Sequence, residues 1–196
     1  MDSSESPVTG RPAGGSAGRL GMILFLAALG VLFAASMVAY LVVRLRAPHW
    51  PPEGSPRLPA GLWVSTVLLL ASSFTIREAL DRVRRGAQTP LRSWLVVTFA
   101  LGVAFLLSQI LSWGNLVLAH HLPATANLYA FTFYMLSGLH GLHVLGGLVA
   151  MGIVLRNAYR SKYTPARHEG VSYLSMYWHF LDAVWLVMFV VLLIAS

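Results

Sequence analysis

Five apolar stretches, each long enough to cross a bilayer, constrain this chain more than any other feature. They fall at about 20–43, 59–76, 93–119, 127–155 and 173–195. A helix rises 1.5 Å per residue, so about 20 residues cross a ~30 Å hydrocarbon core. Inside lipid every backbone N–H and C=O must be bonded within the chain, which makes each stretch a helix. The composition is 57% hydrophobic and 11% charged, with mean hydropathy +0.67; a soluble domain carries about 25% charged residues. The expected fold is therefore all-α, an integral membrane bundle of five transmembrane helices over residues 20–196. Residues 1–19, rich in Ser, Gly and Pro, read as a disordered cytoplasmic tail.

The second stretch is the most dilute, interrupted by Ser65, Thr66, Ser72, Ser73 and Thr75. Such hydroxyls can bond back to carbonyls of their own helix, so a span is still expected there. Orientation follows from the cations. Of the 14 Lys and Arg, all but Arg44, Arg46 and Arg57 fall on the N-terminal tail and the second and fourth connections. The positive-inside rule then places the N-terminus in the cytoplasm and the C-terminus outside. The first apolar run is longer than a signal-peptide core and reads as a retained signal-anchor. Residues 47–59, with five prolines, read as an irregular outer loop. Leu122-Pro123 makes the third connection short, so helices three and four should pair antiparallel. Trp50, Trp63, Trp94, Tyr129, Tyr173 and Trp178 lie near span ends, as interfacial belt residues do, and His120 and His121 sit at the outer edge.

The chain has no cysteine, which removes disulfides, thiolate metal sites and Cys nucleophiles. Its net charge of +7 resides in connections between spans and so reports topology rather than nucleic-acid binding. What remains chemically is buried polarity. Ser172, Ser175, His179 and Asp182 form one stripe on the last helix. A carboxylate near mid-bilayer costs roughly 2.5–3.5 kcal/mol on insertion scales, so Asp182 needs a partner. Depth along the helices offers His143, His140 or His179. His140 and His143, at i and i+3 on the fourth span, could be metal or haem ligands, or packed histidines bonded to neighbouring helices. A metal site takes three or four ligands, and no further ligand accompanies them in that span. Ser137/Gly141, His143/Gly147 and Gly146/Ala150 are spacings that admit a neighbouring helix. Ser108, Gln109 and Ser112 on the third span read as interhelical glue. Arg77, Arg82, Arg84 and Arg85 suit anionic lipid headgroups, or are solvated topology charges. No phosphate loop, carboxylate pair or Ser/His/Asp arrangement is present, so no catalytic residue and no metal ligand is assigned.

Two motifs carry a resemblance. Phe133-Tyr134-Met135-Leu136-Ser137-Gly138-Leu139-His140-Gly141-Leu142-His143-Val144-Leu145-Gly146-Gly147 is similar to the signature of haem-copper oxidase (cytochrome c oxidase) subunit III. Tyr177-Trp178-His179-Phe180-Leu181-Asp182-Ala183-Val184-Trp185 resembles the Tyr-Trp-His-Phe-Val-Asp-Val-Val-Trp of the same family. Order, spacing and the intervening basic connection agree, and the resemblance covers the chain after residue 19, in the short five-helix bacterial form.

The resemblance implies a multi-pass subunit of the bacterial inner membrane, without haem or copper of its own. Its implied partners are subunit I, chiefly, and subunit II, which hold the haem and copper. It also implies bound phospholipid, support of assembly and stability of subunit I, and a possible oxygen route, in a complex that reduces oxygen while pumping protons. The sequence departs from the family pattern at Leu29, Ser112 and Ser172, where the family carries glutamates. Other readings stay open: a subunit-III-like accessory protein of a nitric oxide reductase system, an autonomous haem or copper enzyme using His140, His143 and His179, or a small transporter. The expected polar network is His140, His143, His179, Asp182, Ser175 and Gln109, in a structural role. Asp182 is expected to brace helix five against helix four.

Overall fold

The prolines bracket the helices. Pro12 and Pro48 flank the first, Pro59, Pro123 and Pro165 precede the second, fourth and fifth, and Pro90 lies in the first turn of the third, where no N–H is missed. The computed structural model describes residues 14–47, 61–118 and 128–195, with Pro123 and Thr125 between the last two. All of the expected loop at 47–59 but Ala47, together with residues 1–13, His120 and His121, lies outside the described residues. Five helices fill the rest: α1 Gly14–Arg46, α2 Gly61–Arg84, α3 Gln88–Leu118, α4 Leu128–Tyr159 and α5 Glu169–Ala195. All five are long and apolar enough to cross a membrane. Apart from one isolated bridge, Thr164 to Arg167, no β-structure occurs among the described residues.

The helices overrun the apolar stretches that announce them. α1 starts at Gly14, so the last residues of the expected tail are helical; nothing after Pro12 breaks the chain. α2 runs eight residues past 76 and takes Arg77, Arg82 and Arg84, expected in a connection, into its final turns. The reason is local. Ile76, Ala79 and Val83 continue the buried face, and Glu78–Arg82 and Asp81–Arg85 pair at i, i+4 (3.0 and 2.8 Å) on the outside. A hydropathy window sees only the charges.

Two glycine-type caps close the basic end. Gly86 has φ +74°, and the N–H groups of Gly86 and Ala87 bond the carbonyls of Val83 and Arg82. This is a Schellman cap. Ser161, at φ 51°, makes the same pattern after α4, with Ser161 and Lys162 bonding Ala158 and Asn157. Arg92 of α3 then holds the end of α4. Its Nε donates to Ala158 O (3.1 Å) and its Nη2 to Ser161 Oγ (2.9 Å), a cation at the negative end of a helix dipole.

α2 packs on α3, α3 on α4, and α5 touches α1, α2 and α4; α1 and α2 make no contact with each other. Large side chains such as Val31, Val67, Leu111, Val149 and Val190 are exposed on all five outer faces. In water that surface would aggregate, whereas in a bilayer it matches its solvent.

Candidate functional site: a polar seam between α2 and α5

In lipid, apolar contact gives helices no preference for each other over acyl chains, so close packing and side-chain hydrogen bonds hold the bundle. α2 supplies those bonds. Four of the five hydroxyls return to their own helix as expected, Ser65 to Gly61 O, Thr66 to Leu62 O, Ser72 to Leu69 O and Thr75 to Ser72 O, at 2.7–3.0 Å, whereas Ser73 meets His179. Each oxygen has capacity left, and a neighbouring helix uses it. Gln109 Nε2 donates to Ser65 Oγ (2.7 Å), Trp185 Nε1 to Thr66 Oγ1 (3.0 Å) and Trp178 Nε1 to Ser72 Oγ (2.9 Å). Ser65 also meets Ser108, and Thr75 meets Thr98. Ser112 packs against Gly61, where a Cβ would collide with its hydroxyl. The glue expected of Ser108, Gln109 and Ser112 thus joins α3 to α2.

Trp178 was expected in the interfacial belt, and Tyr129 with it. Both are buried. Trp178 lies in a slot formed by Gly102 of α3 and Gly147 of α4, whose hypothetical Cβ atoms would stand 2.9 and 3.1 Å from the indole. Trp63, by contrast, is exposed as expected.

Asp182 meets one of its three candidate partners. His179 Nδ1 is 3.8 Å from Asp182 Oδ2, and the same nitrogen is 2.8 Å from Ser73 Oγ of α2. Neither carboxyl oxygen has a hydrogen bond among the described residues. His143 is elsewhere: its Nδ1 is bonded to Leu139 O of its own helix (2.7 Å), and its carbonyl accepts from Tyr177 Oη (2.9 Å). His140 is fully buried, with both ring nitrogens unbonded among the described residues, beside Phe33, Phe105 and Trp185 at ring distances of 6.1, 5.8 and 5.2 Å. The brace expected between helices five and four therefore runs from α5 to α2. The reason is rotational: His140 and His143 turn to Phe33 of α1, while His179 turns to Ser73.

Ser175 is buried on the α5 face of a crevice that also contains Arg77 and Arg84. Of the four expected lipid-facing arginines, Arg82 and Arg85 are paired to Glu78 and Asp81, while Arg77 and Arg84 are exposed with no ion pair among the described residues. No group of three His, Cys, Asp or Glu converges among the described residues. The tryptophans and the α2 hydroxyls were the contributors least visible in sequence. Their only signals were the seven-residue spacing of Trp178 and Trp185 and the unusual density of Ser and Thr in one span.

Five apolar-faced helices tied through interior side chains define a multi-pass helical membrane subunit. The family model for cytochrome c oxidase subunit III matches residues 11–196, and the chain belongs to that family. It is 37% identical to cytochrome c oxidase subunit 3 of Synechocystis over 172 residues, which cover 87% of this chain and 72% of the relative. To the subunit 3 of Thermostichus vulcanus it is 33% identical over 178 residues, 90% and 87% of the two chains. To the probable subunit 3 of Mycobacterium tuberculosis it is 36% identical over 177 residues, 88% and 85%. The chain accordingly has a subunit III role as a non-catalytic part of an oxidase complex, in a bacterial membrane.

Proposed function

We propose that this chain clamps onto subunit I of an aerobic respiratory terminal oxidase, with subunit II as its second partner, and supports the assembly and lasting stability of subunit I. The haem and copper that reduce oxygen belong to those partners. The observation that carries this reading is the disposition of polarity: interior polar groups are engaged mainly with one another, while the outer faces stay apolar and uncommitted. In it His140, His143, His179, Asp182, Ser175 and Gln109 have structural roles. Arg77, Arg82, Arg84 and Arg85 meet anionic phospholipid at the cytoplasmic surface, with Arg77 and Arg84 the better placed because no acid competes for them. Residues 1–19 and the N-terminus lie on that side. The names of the relatives favour an oxidase over a nitric oxide reductase system.

An affinity tag on the chain tests the reading. Expressed alone it is expected to be colourless; purified from its native membrane it brings down a haem-bearing partner. Deleting it should leave less assembled oxidase, which inactivates sooner during turnover. A Soret band from the chain alone overturns the proposal.

A further inference from the structure

A crevice opens at the basic end of the bundle, above the His179–Ser73 tie. It has a volume of about 690 Å³, with Arg19 of α1 on one side, Arg77, Asp81 and Arg84 of α2 on the other, and α5 as its floor. It exists because α1 and α2 each pack on α5 without touching each other. The floor is polar, running from Glu169 at the rim past Ser172 and Ser175 to His179. The ten steps of helix from Glu169 to His179 correspond to about 15 Å of depth. The His179 side chain is 41% exposed, whereas that of Asp182, three residues deeper, is 6% exposed. Beyond Asp182 the path closes. The gap there, bounded by Leu69, Phe105, Val144 and Leu181, has no room for a water molecule.

The crevice thus reaches His179, whose Nδ1 faces a buried carboxyl group 3.8 Å further in. We propose that His179 and Asp182 form a proton-binding site that exchanges with water only through this crevice, at the basic end of the bundle. His179 Nδ1 is the atom that faces both Ser73 Oγ and Asp182 Oδ2. With a proton taken from water on the imidazole, Nδ1 donates to Ser73 Oγ and an imidazolium stands beside the carboxylate. A second proton, on the carboxyl, dissolves that ion pair. Each step changes the tie between α2 and α5, because the nitrogen that meets Ser73 is also the one that faces the carboxyl.

The charged surroundings favour a proton over a metal cation. Arg19, Arg77 and Arg84 line the mouth beside His168, and of the two acids there Asp81 is already paired with Arg85, leaving Glu169. Small cations are repelled by such a rim, while a proton is relayed along water. The histidines of α4, His140 and His143, face Phe33, its one charged residue, Arg156, lies in its last turn, and the sole charged residue of α3, Arg92, is bonded to the end of α4.

The absence of cysteine makes the test clean. In native membrane vesicles carrying the assembled complex, Ser172→Cys and Met176→Cys, both part-exposed in the crevice, should react with a membrane-impermeant charged thiol reagent added from the basic-end side. Neither should react from the opposite side, and lipid-facing Val187→Cys should react from neither. On the purified complex, the infrared spectrum taken across a pH series should contain a protonated-carboxyl band that Asp182→Asn removes. Where that variant does not assemble, Asp182→Glu should shift the band and His179→Gln should move its pH midpoint. Protection of both cysteines by a lipid filling the crevice, labelling from the opposite face, or a carboxyl spectrum unchanged in every variant overturns the proposal.

Discussion

Trp178 shows how one side chain can set the spacing of four helices. It belongs to α5, lies between glycines of α3 and α4, and donates its indole N–H to α2. Glycine is needed at Gly147 because a Cβ there would stand 3.0 Å from Tyr177 and 3.1 Å from Trp178. Gly147→Val should therefore cost about 1–3 kcal/mol through overpacking, seen as a lower melting midpoint in detergent. Gly146→Val is the matched control, since its only neighbour is Tyr177 Oη at 3.9 Å; an equal loss in both variants would refute the slot. Trp178→Phe keeps most of the ring and removes the bond to Ser72. About 0.6–1.7 kcal/mol should go with it, and adding Ser72→Ala should then cost little more, because the two share one interaction.

At the scale of elements, α2 behaves against its hydropathy. The hydroxyls that make it the weakest candidate span are what tie it to α3 and α5. Replacing Ser65 with Ala and Thr66 with Val raises the apolarity of the helix. Stability should nevertheless fall, by about 1–3 kcal/mol for the pair, since Gln109 and Trp185 lose their acceptors. Equilibrium unfolding in mixed micelles would check the sign. The helix ends follow ordinary capping chemistry. Gly86→Ala should cost about 1–2 kcal/mol, because φ +74° is strained for a residue with a Cβ. The cap at Gly86 was open to inspection in the sequence, as glycine is the usual residue there. The matching cap at Ser161 was not, because serine seldom adopts that conformation and only the fold holds it there.

For the molecule as a whole, orientation is the prediction that matters. A periplasm-active reporter fused after Ser196 should be active and one fused before Met1 silent, as the distribution of Arg and Lys requires. The reverse pattern would move the arginine-rich end, and the crevice with it, to the outer face. The packing order is also a property of the whole: α5 is the common neighbour of α1, α2 and α4. Chain order alone does not reveal this, since adjacent helices α1 and α2 do not meet.

The sequence by itself determined the number of helices, their apolar outer faces and the placing of His179 and Asp182 on one helix face. Each depends only on hydropathy or on neighbours within one turn of a helix. Tertiary structure alone decided that Asp182 meets a His179 tied to Ser73 of α2 rather than the histidines of α4, that Trp178 is a buried pin, and that a crevice opens between α1 and α2. Those outcomes depend on how each helix is rotated about its own axis. Rotation is fixed by contacts between residues far apart in the chain, such as Ser73 with His179 and Thr66 with Trp185. A periodic apolar pattern cannot specify it when both lipid and protein interior are apolar.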